Sequence, residues 1–461
     1  MTLQPDSRTG VDRDRLPVPG PTRNFPFPAI AKSTLPNGLR VWTVRHTQVP
    51  LVAFTLLIRR GASSDPAGKD GLAAVTADML DEGSGDRSAI EIHEALARLG
   101  AQFDTDIGSD ATVTSVTVLS RFTRRALDLL SDVVVRPAIR EEDFSRVRQL
   151  RLHRLTQMRD MPGAVADRAF LKLLYGAHPY GHSPIGSEAS LAAMHVDDAR
   201  AFHARAIRPG VATLIAVGDC EHDDMVGMAA EAFADWIGSG DAEPAAGDAL
   251  PHASRLTVVP RPRAPQSELR IGQVSVARDT PDYHALVVAN TILGGQFVSR
   301  INLNLREDKG LTYGARTAFE FRRRSGPFVL QVSVQTSGTA RAIEESLGEI
   351  AGIRGPRPVS AAELELGIAA LTRGYARSFE TGEQLGRAAL QLALYDLPDD
   401  YFEQFVPRIE RVSAEDVSRV MERHLDPARL VTLVVGDLDV IGADLPALGL
   451  GDPVVLPADA F

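Results

Sequence analysis

Residues 209–219 read PGVATLIAVGD, and 218 residues later residues 427–437 read PARLVTLVVGD. Each stretch opens on a proline and runs through Leu214-Ile215-Ala216-Val217 or Thr432-Leu433-Val434-Val435 into Gly-Asp. A short run of aliphatic and β-branched residues between a proline and a glycine reads as a buried strand ending in a turn. Ahead of each proline, at equal distance, a helical segment is entered through an acidic pair, Asp197-Asp198 and Glu415-Asp416. Acidic residues suit the positive end of a helix dipole. Near the start of each half, Val44 and Pro50 match Val259 and Pro265 in spacing, each pair ahead of a strand pattern. Three correspondences in one order predict a duplicated chain.

Outward from those strands, the two halves read alike. Strand pairs Leu39–Val44 with Val52–Arg59, and Leu256–Val259 with Glu268–Ala277, lead into apolar helices Leu72–Asp81 and Tyr283–Leu293. Thr112–Leu119 and Phe328–Gln335 alternate with a period of two, which suits half-buried antiparallel strands. Helices over Arg121–Val134 and Thr339–Ile353 follow. Strands and helices without strict βαβ alternation predict an α+β fold, each half a mainly antiparallel sheet with helices packed on one face. Gly238 to Ser254, rich in Gly, Pro, Ala and Asp, reads as a linker. The expected organisation is a flexible arm over 1–30, one half over 31–237, the linker over 238–254 and the second half over 255–461.

The chain has 461 residues, 44% hydrophobic and 24% charged, enough for several domains with large cores. Its net charge of −10 argues against nucleic acid or anionic lipid as partners. One cysteine, Cys220, excludes an intrachain disulfide framework and any multi-cysteine metal site. No run approaches the ~20 apolar residues of a membrane span. Met1 to Phe25 is polar and lacks the apolar core of a signal peptide, so cytoplasmic residence is expected, periplasmic if the true start carries a signal.

With Leu35-Pro36-Asn37-Gly38-Leu39, Arg60-Gly61-Ala62, His178-Pro179-Tyr180-Gly181, Leu293-Gly294-Gly295 and the run Arg306 to Tyr313, the sequence resembles the insulinase/pitrilysin family of metallopeptidases. Within that family it is similar to the mitochondrial-processing-peptidase-like subunits. The family's signature is an inverted zinc motif, H-x-x-E-H, on the first helix, with two histidine ligands and a glutamate base. In the matching segment Ala74 stands at the first histidine, Ala77 at the glutamate and Asp78 at the second histidine. The third ligand, a glutamate on a helix resembling Phe144–Met158, is matched by Leu152-His153-Arg154-Leu155. Alanine has no donor and one carboxylate cannot hold zinc alone, so no metal is expected in this chain. The other candidates carry little. His178 and His182 are separated by Pro179 and Gly181 and read as loop residues, His93 and the pair Glu307-Asp308 read as solvated, and Cys220 as a structural thiol.

The resemblance also implies what is kept. Family members carry an arginine and a tyrosine seven residues apart that bind substrate and the developing oxyanion; here they are Arg306 and Tyr313. A helix over Val298–Arg306 stopping near Gly310, with a strand starting at Leu311-Thr312-Tyr313, would bring both side chains toward one point. Gly294 and Gly295 correspond to a glycine-rich substrate loop of the non-zinc processing subunit. The implied function is a non-zinc subunit that pairs with a zinc-bearing homologous chain in a clam-shell heterodimer. It would supply Arg306 and Tyr313 in trans while metal-activated water attacks an unstructured peptide. The alternative is a proteolytically inactive structural subunit, like the core proteins of the respiratory cytochrome complex.

Overall fold

The computed structural model describes residues 20, 26–239, 247, 249 and 254–457. Most of the expected arm and most of the linker lie outside the described residues.

The first half contributes strands β1 (Ile30–Thr34), β2 (Arg40–Arg45), β3 (Leu51–Ile58), β4 (Phe103–Ile107), β5 (Thr112–Leu119) and β6 (Ala212–Gly218). The second contributes β7 (Leu256–Pro260), β8 (Gln266–Val274), β9 (Ala315–Phe319), β10 (Pro327–Gln335), β11 (Val431–Gly436) and β12 (Val454–Val455). The sheets run β1-β2-β6-β3-β5-β4 and β12-β7-β11-β8-β10-β9, so the duplicated strands β6 and β11 occupy the same inner place. Each is parallel to its neighbour on one side and antiparallel on the other. Register agrees too. Val44 lies opposite Val217 and Arg45 opposite Gly218, as Val259 lies opposite Val435 and Pro260 opposite Gly436. The next residue in each half, His46 or Arg261, donates its N–H to the carbonyl of Gly218 or Gly436 at 2.8 and 2.7 Å. The halves part at one edge, where β1 is antiparallel to β2 but β12 is parallel to β7.

Burial explains the two sequence patterns. β6 and β11 are buried along their whole length, as unbroken apolar runs demand, while β5 alternates buried and half-buried residues. One face of the first sheet packs Phe54, Leu56 and Leu214 on helices of its own half. The helices of that half include α1 (Leu72–Asp78), α2 (Thr123–Val135), α3 (Glu141–Arg159), α4 (Pro162–Tyr175) and α5 (His222–Ala232), and of these α2 and α5 make this contact. The helices of the second half include α6 (Thr339–Ile353), α7 (Ala361–Thr372) and α8 (Gly382–Tyr395).

The remaining face of each sheet is covered by the other half. Helix α4 lays Val165, Ala169, Phe170 and Leu173 on Val259, Leu433 and Val435 of the second sheet. Helix α8, its counterpart at nearly the repeat offset, belongs to the cluster holding Trp42, Val44, Ile215 and Val217 of the first sheet. A Cβ on Gly386 would lie 3.6 Å from the Thr55 hydroxyl, so this helix sits close on the strands. The exchange is sealed by polar contacts. Arg270 holds Asp167 at 2.7 Å, Tyr175 donates to the carbonyl of Ser325 at 2.8 Å, and Arg59 pairs with Asp396 at 2.9 Å.

Phe27 corrects one boundary. Placed in the arm by its Pro-rich surroundings, it is buried on Phe379 and Phe402 of the second half, with ring centroids 5.6 and 5.0 Å away. No helix among the described residues is long and apolar enough to cross a membrane.

Candidate functional site

Helix α1 is fixed at its start by Asp65, whose carboxylate accepts from the N–H groups of Gly71 and Ala73 at 2.7 and 2.6 Å. A carboxylate on the first amides of a helix satisfies donors that have no partner within it. His182 braces Asp65 at 3.1 Å and also meets the carbonyl of Ala62 at 3.0 Å. Burial pushes the Asp65 carboxyl up despite these donors. Burial also works against charge on His182, but Asp65 and Asp70 outweigh it and raise the imidazole's pKa. The His-Pro-Tyr-Gly segment therefore supports the helix start. His178 faces elsewhere, accepting from the N–H of Tyr180 at 3.0 Å, so the two histidines do not form a ligand pair.

Further along α1, Ala74 and Ala77 are 2% and 1% exposed and offer only methyl groups. Asp78 is not free. Arg151 of α3 donates from Nε to its Oδ2 at 2.7 Å. The pair borders a cavity of about 360 Å³ that also meets Asp81, Glu82 and Arg154. Asp81 is tied to His93 at 3.3 Å and Glu82 to Arg146. Among the described residues no three His, Cys, Asp or Glu gather as a metal site. The zinc that the family signature requires does not fit these residues: two ligand or base positions are methyl groups and the third holds a guanidinium.

The second candidate region is Thr291 to Ala315. Its helices are wound loosely, with π-type turns over Thr291–Gly295 and Leu303–Asp308. Buried Asn302 secures the segment. Its amide donates to the carbonyls of Gln296 and Ala315 at 3.1 and 2.9 Å, and its oxygen accepts from the N–H of Ala315 at 2.8 Å. Arg300 forms a two-pronged pair with Glu363 of α7 at 2.6 and 2.9 Å, which holds that carboxyl down to about 2.

Arg306 lies in this segment with its side chain 13% exposed, bonded to Glu307 and stacked 3.4 Å from the Phe297 ring centroid. Tyr313 is 94% exposed, so it is not core. Neither side chain bonds the other. The expected strand start at Leu311 is corrected: residues 311–314 form an irregular link after Gly310, held by the Thr312 hydroxyl on the Ser333 carbonyl at 2.7 Å, and β9 starts at Ala315. Phe297, Val298 and Leu303 are also exposed, giving the segment an apolar surface. Gly294 is buried, and a Cβ there would stand 2.6 Å from the Thr317 hydroxyl. Gly295 is exposed. Glu307 and Asp308 diverge, one to Arg306 and the other to Lys309. Cys220 is half-buried, its thiol pushed up to about 11 mainly by burial.

Residues 40–187 match the model of insulinase, peptidase family M16, and residues 193–371 match the peptidase M16 inactive domain. The chain belongs to the insulinase family, M16. An uncharacterized zinc protease of Mycobacterium tuberculosis is 28% identical over 434 residues, spanning 90% of this chain and 96% of that protein. An uncharacterized zinc protease of Bacillus subtilis is 26% identical over 62% of this chain and 68% of its own. A crystal structure of a peptidase M16 inactive domain from Pseudomonas fluorescens covers 88% of this chain and 98% of its own at 26% identity, with a TM-score of 0.83. A protease from Helicobacter pylori shares the fold at 17% identity, with a TM-score of 0.80 over 88% of this chain and 99% of its own. The two M16 matches meet within the first half, so β6 of the first sheet falls in the second match. Asp65, Arg151 and Asn302 escaped the sequence reading because nothing local marks them; each acts on a segment distant in sequence or across a loop.

Proposed function

We propose that this M16 chain is the non-zinc member of a two-subunit peptidase, resembling the mitochondrial-processing-peptidase type. It would present Arg306 and Tyr313 to a peptide held by a homologous, zinc-bearing chain. The observation that carries this reading is the exposure of Tyr313 on a segment locked by Asn302, beside exposed Phe297, Val298 and Leu303. Exposed apolar patches mark surfaces that a partner or a substrate covers. Hydrolysis of a peptide builds negative charge on its carbonyl oxygen, which a guanidinium and a phenol can both receive as donors. Arg306 would turn from Glu307 toward that oxygen while remaining stacked on Phe297. Gly295 remains available for contact with the peptide backbone.

Reconstitution with a zinc-bearing homologous chain tests the reading. Arg306→Ala and Tyr313→Phe should each lower peptide turnover by ~10²–10³ with the partner's zinc content unchanged. Unchanged turnover in both would leave a structural subunit without a part in proteolysis. That second reading has one observation in its favour: Arg306 is already satisfied within the chain, by Glu307 and Phe297.

A further inference from the structure

The ion pair between α1 and α3 joins Asp78, which stands at the second histidine of the family signature, to the helix resembling the one that bears the third ligand. We infer that the Arg151 guanidinium, held on Asp78, takes over the fastening that a metal provides, so that this half is locked without metal and closed to one. The reading concerns this chain alone and stands whether or not a zinc-bearing partner exists.

The atoms make the exchange direct. The Arg151 side chain is 13% exposed and its Nε lies 2.7 Å from Asp78 Oδ2. A second nitrogen of the same guanidinium reaches the Pro184 carbonyl at 3.4 Å, so the side chain joins α1, α3 and the loop after His182. One cation therefore gathers oxygen atoms from two distant segments, as a bound metal does. Arginine cannot lose its charge at any ordinary pH, which makes the fastening independent of metal supply and of protonation of the cation. Glu82 and Asp81, the other carboxylates on this cavity, are engaged by Arg146 and His93 and so do not compete for Arg151. Arg154 borders the same cavity one turn on, adding a second positive charge against any incoming cation.

Side-chain reach also says how the lock could be reversed. Glutamate at 151 would place an oxygen as many bonds from the backbone as the present Nε. Histidine at 78 would place Nδ1 as far out as the present Oδ2. Position 74, one turn before 78, lies on the same face of α1. Ala74→His/Asp78→His/Arg151→Glu should therefore present two imidazoles and a carboxylate to one point, a ligand set suited to zinc.

Two measurements on the purified full chain test the inference. In urea unfolding, Asp78→Ala and Arg151→Ala should each lower the midpoint, and the double variant should lose no more than the worse single, with chelator changing none of these values. Fully additive losses, or a wild-type midpoint that falls with chelator, would overturn it. In zinc titration followed by plasma emission spectroscopy, the triple variant should hold one zinc per chain and melt at higher temperature with zinc. Ala74→His/Asp78→His with Arg151 retained should hold none. Equal zinc in both, or none in a triple variant that circular dichroism shows to be folded, would refute the lock. The urea series decides the matter should the triple variant not fold.

Discussion

Gly294 and Phe27 show how far a single residue's role depends on its neighbours. At position 294 the backbone approaches β9 so closely that even a methyl group meets Thr317. Gly294→Ala should therefore destabilise the chain by about 1–3 kcal/mol, the usual cost of overpacking, read as a lower urea midpoint. An unchanged midpoint would mean that position 294 has room for the methyl group. Phe27 lies among Pro26 and Pro28, a context that reads as an arm, yet its ring is enclosed by Phe379 and Phe402 from the far half. Phe27→Ala should cost about 3–5 kcal/mol, as removal of a buried phenylalanine generally does. A cost below 1 kcal/mol would mean that the ring is not seated there.

Among elements, α8 and α7 carry the clearest consequences. Helix α8 places Leu385, Ala389 and Leu392 in the cluster that includes the strands of the opposite half, all of them buried. Leu392→Ala should remove about 2–5 kcal/mol from one cooperative transition, not from the second half alone. Two separate calorimetric transitions, only one shifted, would contradict that coupling. Helix α7 anchors the segment bearing Arg306 through Glu363. With its carboxyl held to about 2 by Arg300, Glu363 contributes stability in full above the ordinary glutamate pKa, about 4.3. That contribution is lost as pH falls through the folded-state value, because the unfolded chain takes up the proton first. Between pH 5 and pH 2 the urea midpoint of wild type should fall toward that of Glu363→Gln, whose own decline should be shallower. Parallel declines would remove Glu363 from the acid response.

At the scale of the whole molecule, reciprocal exchange of α4 and α8 makes each half incomplete. Residues 31–237 expressed alone would leave Trp42, Val44, Ile215 and Val217 uncovered on one sheet face. An apolar face of that kind binds hydrophobic dyes and promotes association. The isolated half should bind such a dye strongly and aggregate, and co-expression with residues 255–461 should suppress both. A monomeric, dye-silent half would show that the exchange is not needed for folding.

The sequence by itself determined the duplication, the α+β class and the loss of the zinc motif. These rest on features that local order preserves: strand periodicity, runs that are apolar on both faces, and side chains at 74, 77 and 78 that cannot ligate. Tertiary structure decided which face meets which helix. A strand's alternation shows that a face is buried but carries no record of its covering element, and here that element comes from the other half. It also decided which side chain Asp78 meets. Asp78 and Arg151 are brought together only by the packing of α1 on α3, so neither residue has a local pattern that names its partner.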